Sequence, residues 1–269
     1  ILFYFECPQN PSYILEAQTW FHDPLSKIEA HLFSLPAPKR CRVFLAGANP
    51  FALKSKRLLE IAGLIYKHFP TCKTIGCFAR VTDVTSKTDE ELAALREAGY
   101  TGLTIGIETG DDKALAFMNK GYAAQDIVAQ CARLDAADIA YAFFYLAGIS
   151  GKGHGIEGAR LTAAVCNQTR PSLIGANILT IYKNSELYQE ILAGNWEEET
   201  EIEKYQEIKA LVEDLEIPVE YAMLGASNPV MMQGRLPEQR TQIIAALDRV
   251  IEEIGEDRLR HYRTNLKHL

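Results

Sequence analysis

The chain has 269 residues, of which 48% are hydrophobic and 23% charged, and it carries a formal net charge of −7. This composition excludes a disordered or fibrous chain and is long enough to bury a large α/β core, while the acidic balance argues against general attraction to nucleic acid or to an anionic membrane surface. Six cysteines in a chain of this size need no disulfide framework, and no apolar run reaches the roughly 18–20 residues of a membrane span, so a cytoplasmic protein is expected. The opening Ile-Leu-Phe-Tyr-Phe is too short for a secretory signal, and a first residue other than Met implies sequence upstream.

Short β-branched, aromatic or aliphatic runs predict strands over residues 1–5, 42–46, 74–79, 102–107, 140–147 and 173–181. Helical spacing fills the gaps. Leu58, Leu59, Ala62, Ile65 and Tyr66 form one apolar stripe; Leu92, Leu95 and Ala98 form a second, opened by Thr88 with Glu91 three residues on, a capping-box pattern. Ile127, Cys131 and Leu134 form a third, and Leu161, Ala164 and Val165 a fourth. Near-continuously apolar strands alternating with helices imply a parallel sheet covered on both faces. About six βα units are too few for an eight-fold barrel, so the expected fold class is α/β, a partial (βα)6 TIM-like barrel over residues 1–183. A mostly helical C-terminal extension follows over 184–269. In that extension residues 197–216 read as a charged, exposed helix, 236–254 as another, with a Gly/Asn/Pro-rich loop between them. The basic tail beyond Glu256 reads as a solvated terminal helix.

In such a fold the ligand site lies at the carboxyl ends of the strands. Those ends read Ala46-Gly-Ala-Asn-Pro50, Phe78-Ala-Arg-Val-Thr-Asp83, Gly106-Ile-Glu-Thr-Gly-Asp-Asp112 and Ala147-Gly-Ile-Ser-Gly151. Glycines there admit close backbone approach, and the single charges can pair with an ammonium, a carboxylate or ribose hydroxyls. The plainer reading is that Gly, Asn and Asp make βα turns; four mixed-charge ends favour a site for a zwitterionic nucleoside. Other chemistries find little support. Gly153-His-Gly-Ile-Glu-Gly158 matches GxGxxG but starts well past the strand end, and Gly151-Lys-Gly153 lacks the rest of a phosphate loop. Cys72 and Cys77 have no matching pair for zinc, and His22, His31, His68 and His154 stand isolated. No nucleophile elbow or Ser/His/Asp order is present.

The stretch Thr104-Ile-Gly-Ile-Glu-Thr-Gly-Asp-Asp-Lys-Ala-Leu-Ala-Phe-Met-Asn-Lys-Gly-Tyr122 resembles the "iGiESGsdevLkxxnKGy" signature of radical S-adenosylmethionine (SAM) domains. The subgroup is that of tRNA methylthiotransferase-like and anaerobic coproporphyrinogen oxidase-like proteins. Val43–Pro50, Ala79–Leu92 and Leu146–Gly151 are similar to that family's second-, third- and fifth-strand motifs. Ser227-Asn228 with Gly234-Arg-Leu-Pro237 is similar to an "H-x-S-N…G-x-L-P" signature of one uncharacterised branch, with Gly225 where the histidine would stand. The resemblance covers roughly residues 40–245. It implies that Gly47 and Asn49 approach the SAM amino group, Arg80 its carboxylate, Glu108 the ribose or amino-acid moiety, and Gly148, Ile149 and Gly151 the adenine. It further implies a 4Fe–4S cluster, reductive cleavage of SAM to a 5′-deoxyadenosyl radical, an unidentified substrate, and a reductant such as a flavodoxin or ferredoxin. The family's CxxxCxxC after the first strand is not visible: counting from Cys7, its other positions are Pro11 and Ile14. Either the cluster loop is missing from this sequence and Cys7 is its last metal ligand, which is the favoured expectation, or the chain is a cluster-free SAM-binding or scaffold homologue.

Overall fold

The computed structural model describes residues 2–7, 10–18, 25–33, 41–47 and 49–266. In chain order the elements are β1 (Leu2–Cys7), β2 (Asn10–Gln18), α1 (Leu25–Phe33), β3 (Cys41–Ala46), α2 (Ser55–His68), β4 (Cys72–Arg80), α3 (Val81–Thr85), α4 (Asp89–Glu97) and β5 (Tyr100–Glu108). They continue with α5 (Asp112–Phe117), α6 (Ala124–Ala136), β6 (Ala140–Ala147), α7 (Gly155–Cys166), β7 (Leu173–Ile178), α8 (Glu186–Leu192), α9 (Glu201–Asp214), β8 (Val219–Met223), β9 (Met232–Leu236), α10 (Arg240–Arg249) and α11 (Glu256–Thr264). A 3-10 turn, Pro50–Ala52, precedes α2, and a π-helical stretch, Val250–Ile254, follows α10. The chain divides into two compact units, residues 1–106 with 132–142, and residues 107–131 with 143–269.

In the first unit the strand order is β2-β1-β3-β4-β5. β3, β4 and β5 pair in parallel, with Val43 opposite Ile75 and Phe78 opposite Thr104. β1 instead runs antiparallel to both β2 and β3, with Leu2 opposite Ala46 and Glu6 opposite Arg42. Apolar residues that alternate along the strands meet the α2 and α4 stripes: Val43, Leu45, Leu58, Ile61, Ile65, Ile75, Leu92 and Leu95 are all buried. The capping box at α4 forms as its sequence predicts. Thr88 Oγ1 accepts from Glu91 N–H at 3.2 Å and Glu91 Oε2 from Thr88 N–H at 2.9 Å.

In the second unit the order is β6-β7-β8-β9, with β6, β7 and β8 parallel and β9 antiparallel at the edge. Six strands therefore pair in parallel, three in each unit, and each of β3 to β7 is followed by a helix. The α/β expectation with its partial-barrel strand count and helical C-terminal region holds, but its membership shifts: the first strand lies in an antiparallel hairpin and β8 is the sixth parallel strand. β2, β8 and β9 fall where no strand was expected. β2 and β9 are edge strands, with Gly234 and Arg235 inside β9, and owe their existence to pairing rather than to local propensity; β8, between β7 and β9, does alternate, with Val219, Tyr221 and Met223 buried.

Two further expectations are corrected. α9 is not an exposed helix: Glu201, Lys204, Tyr205, Glu207, Ile208, Ala210, Leu211 and Val212 are all buried. Its charges are accommodated by pairing, Lys204 Nζ lying 2.6 Å from Glu198 and 3.0 Å from Glu201, a relation that charge counting along the sequence cannot reveal. Nor is the α11 tail merely solvated. Leu259 is buried, and Arg263 reaches in to Glu201 at 3.2 Å and donates to the backbone oxygens of Ser227, at 2.7 Å, and Leu179. Lys267 and His268 lie outside the described residues.

Candidate functional site

In the first unit, the turn after β3 carries Gly47 and Asn49 and the end of β4 carries Arg80. Asp83, in the first turn of α3, joins them. Its carboxylate accepts from Asn49 Nδ2 at 2.6 Å and Arg80 N–H at 2.7 Å, and it lies 3.3 Å from the Arg80 guanidinium. Asp83 is only 4% exposed, so these donors compensate its burial. Two groups around it keep capacity for a ligand. The Asn49 Oδ1 atom is buried with no hydrogen-bond partner among the described residues, and the Arg80 side chain is 63% exposed. The turn is pinned from behind by the buried Lys87, whose ammonium donates to Phe51 O at 2.7 Å and Leu53 O at 3.2 Å and sits 4.4 Å from the centre of the Phe51 ring. Burial lowers the Lys87 pKa, and the nearby Asp83 charge opposes that shift.

In the second unit, Glu108 ends β5 with φ of 60°, an uncommon conformation for a non-glycine residue, and pairs with Lys120 at 3.2 Å. The following turn is tied to α7: Gly110 N–H donates to Thr162 Oγ1 at 2.7 Å, and that hydroxyl also contacts Thr109 Oγ1. Asp111 caps α5 through Lys113 N–H and accepts from Ser150 Oγ at 3.0 Å. Ser150 belongs to the turn after β6, in which Gly148 and Gly151 take φ of 90° and 80°. Ile149, Ser150, Asp111, Phe117, His154 and Trp196 line a cavity of about 350 Å³, within the size range of small-molecule sites.

Of the residues singled out from the sequence, the fold thus brings Asn49 and Arg80 together on Asp83, and places Ile149 in a cavity beside Gly148 and Gly151. Asp83, Asp111 and Trp196 were not singled out. Asp83 and Asp111 stand in the quoted strand-end stretches, and their polar character one turn past a strand was the available signal. Trp196 carried none. Ser227 and Asn228 prove to be scaffold: both side-chain oxygens accept from Ile178 N–H, at 3.3 and 3.2 Å, and Asn228 Nδ2 donates to Ala176 O at 2.9 Å. A Cβ at Gly225 would stand 2.0 Å from Asn177 Oδ1, so a side chain there would require the Asn177 side chain to turn aside.

Cys7 is placed elsewhere. It ends β1, which runs antiparallel to β3, so it follows the residue paired with Arg42, at the amino end of β3, whereas Gly47 and Asn49 lie past its carboxyl end. The Cys7 side chain lies outside the described residues. A 4Fe–4S cluster with one iron open to SAM takes three thiolates. Among the described residues no group of three or more His, Cys, Asp or Glu side chains could hold a metal. Cys72, Cys77, Cys131 and Cys166 are buried, and desolvation pushes the Cys77 and Cys166 thiols up, away from the thiolate form. The described residues do not fit the cluster.

Comparison with solved structures adds the fold relationship. The archaeal Methanocaldococcus infernus Elp3, solved with an N-terminal deletion, superposes with a TM-score of 0.53 at 12% identity over 73% of this chain and 49% of that one. The chain shares the fold of that structure. Escherichia coli coproporphyrinogen III oxidase, a radical SAM enzyme, gives a TM-score of 0.46 at 13% identity over 53% of this chain and 32% of that one. Methylornithine synthase gives 0.45 at 12% identity over 94% of this chain and 74% of that one. The chain spans about half the length of the Elp3 structure. No family model matches the sequence, and no curated protein matches it either. Among the described residues no helix is long and apolar enough to cross a membrane.

Proposed function

We propose that the chain binds S-adenosylmethionine at the carboxyl ends of its parallel strands. The observation that carries this reading is the pair of groups held by Asp83: a buried Asn49 Oδ1 without a partner among the described residues, and an Arg80 guanidinium that meets Asp83 at 3.3 Å while its side chain stays largely exposed. An α-ammonium would satisfy the first and an α-carboxylate the second, and an amino acid presents both on one carbon. On this reading Gly47 approaches the same ammonium; in the second unit, taken by itself, the family resemblance assigns Glu108 to the ribose or the amino-acid moiety and Gly148, Ile149 and Gly151 to the adenine, and Ile149 lines a cavity.

The stronger reading from the family resemblance, reductive cleavage of SAM to a 5′-deoxyadenosyl radical with electrons from a flavodoxin- or ferredoxin-like partner, needs a cluster. The antiparallel setting of β1 favours the cluster-free alternative, a SAM-binding homologue, because it carries Cys7 away from the end of β3 where SAM is proposed to sit.

Isothermal titration with S-adenosylmethionine tests the reading. Saturable binding is expected, and Arg80→Ala should weaken it by roughly 10- to 100-fold, the worth of a charge-assisted hydrogen bond. No heat of binding at millimolar SAM, or equal affinity in Arg80→Ala, would overturn it. Iron–sulfur absorption after anaerobic reconstitution would move the reading back towards the radical enzyme.

A further inference from the structure

We infer that residues 196–207 act as a clamp on the Gly148–Gly151 turn, with Glu207 as the positioning residue that sets how well that turn holds a ligand. This rests on the proposed SAM reading for the ligand, but the clamp itself stands on contacts within the second unit. Glu207 is fully buried, and its Oε2 accepts from Gly148 N–H at 2.7 Å. Its other oxygen accepts from Tyr145 O–H, so one carboxylate grips the last turn of β6 and the first residue beyond it. The Lys204 stem lies under Gly148, and a Cβ at Gly148 would meet it at 3.2 Å. The far end of the turn is held by the same segment: a Cβ at Gly151 would meet the Trp196 indole nitrogen at 2.8 Å, and Lys152 N–H donates to Glu197 O at 2.9 Å.

Both ends of the turn are therefore held by residues 45 to 59 positions downstream. Trp196 also lines the cavity that Ile149 closes, so the clamp and the cavity wall share a side chain. Glu199 supports Glu207. Its carboxyl shares a hydrogen bond with Glu207; burial raises both pKa values, and the bonds from Glu199, Tyr145 and Gly148 oppose the rise at Glu207. A carboxylate facing a backbone N–H inside the protein makes a short, charge-assisted bond, and a neutral acceptor in the same place makes a weaker one. A merely space-filling Glu207 would be replaceable by glutamine without consequence for the turn.

Amide hydrogen exchange on the full chain, paired with SAM titration, tests the clamp. Glu207→Gln should speed exchange at Gly148 about tenfold or more while amides of β7, such as Ile174, stay as they are, and should weaken SAM binding about tenfold. Tyr145→Phe, which keeps the charge and removes one donor, should move Gly148 exchange in the same direction by less; it serves if Glu207→Gln fails to fold. Unchanged exchange at Gly148 in either folded variant would overturn the clamp. Faster exchange with unchanged SAM affinity would overturn the positioning role. If the unmodified chain binds no SAM, the proposed function and the affinity half of this inference fall together, and Gly148 exchange alone decides the clamp.

Discussion

Replacing Glu199 with glutamine is expected to raise stability at pH 7 and to flatten its dependence on pH. Glu199 is 1% exposed, and burial, with the neighbouring Glu207 charge, pushes its pKa from 4.5 to about 10. The folded chain therefore keeps a proton there that the unfolded chain releases between pH 4.5 and about 10. Because the folded state binds more protons in that window, this carboxyl contributes most to stability below pH 4.5, and that contribution is lost as pH rises towards 10. At pH 7 the linked cost approaches about 3 kcal/mol, at about 1.4 kcal/mol per pKa unit. Glutamine keeps the shape and the donor to Glu207 without a proton to lose. The melting temperature at pH 7 should rise by roughly 6–12 °C at 2–4 °C per kcal/mol, and the gap to the parent should close as the buffer is taken towards pH 4.5. A variant that melts lower than the parent at pH 7, or a gap that widens on acidification, would show that Glu199 is ionised in the folded chain.

Lys204→Met should have the largest destabilising effect. The Lys204 ammonium is fully buried between Glu198 and Glu201, at 2.6 and 3.0 Å. Removing one member of a buried ionic group strands the charges that remain, at a cost of about 3–5 kcal/mol. Arg263, 3.2 Å from Glu201, keeps one carboxylate compensated, so a value near the lower end is expected in urea melts. The double variant Lys204→Met/Glu198→Gln should recover part of the loss, because Glu198, left with only Arg260 at 3.9 Å, is the less compensated carboxylate and is removed with its partner. Additive effects of the two substitutions would contradict the network.

These two residues also mark where sequence reasoning stopped. The strands β3 to β7 were legible because each is a short apolar run between turn residues, and the Thr88–Glu91 box announced α4. The hairpin of β1 and β2 was not, since nothing local in Ile1–Phe5 says whether its neighbour runs parallel or antiparallel. α9 misled for a physical reason: a helix with glutamates at 201, 203 and 207 and lysines at 204 and 209 reads as a solvated face, and only the fold shows that Lys204, Glu201 and Glu207 find partners inside. At the site, Asn49, Arg80 and Ile149 could be picked from strand ends alone. That Asp83 gathers Asn49 and Arg80, or that Glu207 reaches back 59 positions to Gly148, depends on distances that no local pattern encodes.

The central claim is that the strand ends after β3 and β4 hold the amino-acid end of a zwitterionic nucleoside. Backbone amide chemical-shift mapping with S-adenosylhomocysteine, which has the amino-acid and adenosine ends but no sulfonium, tests it most directly. The account predicts saturable shifts concentrated at Gly47, Asn49 and Arg80, with a common dissociation constant. Shifts absent at saturating concentration, or confined to residues away from these turns, would contradict it.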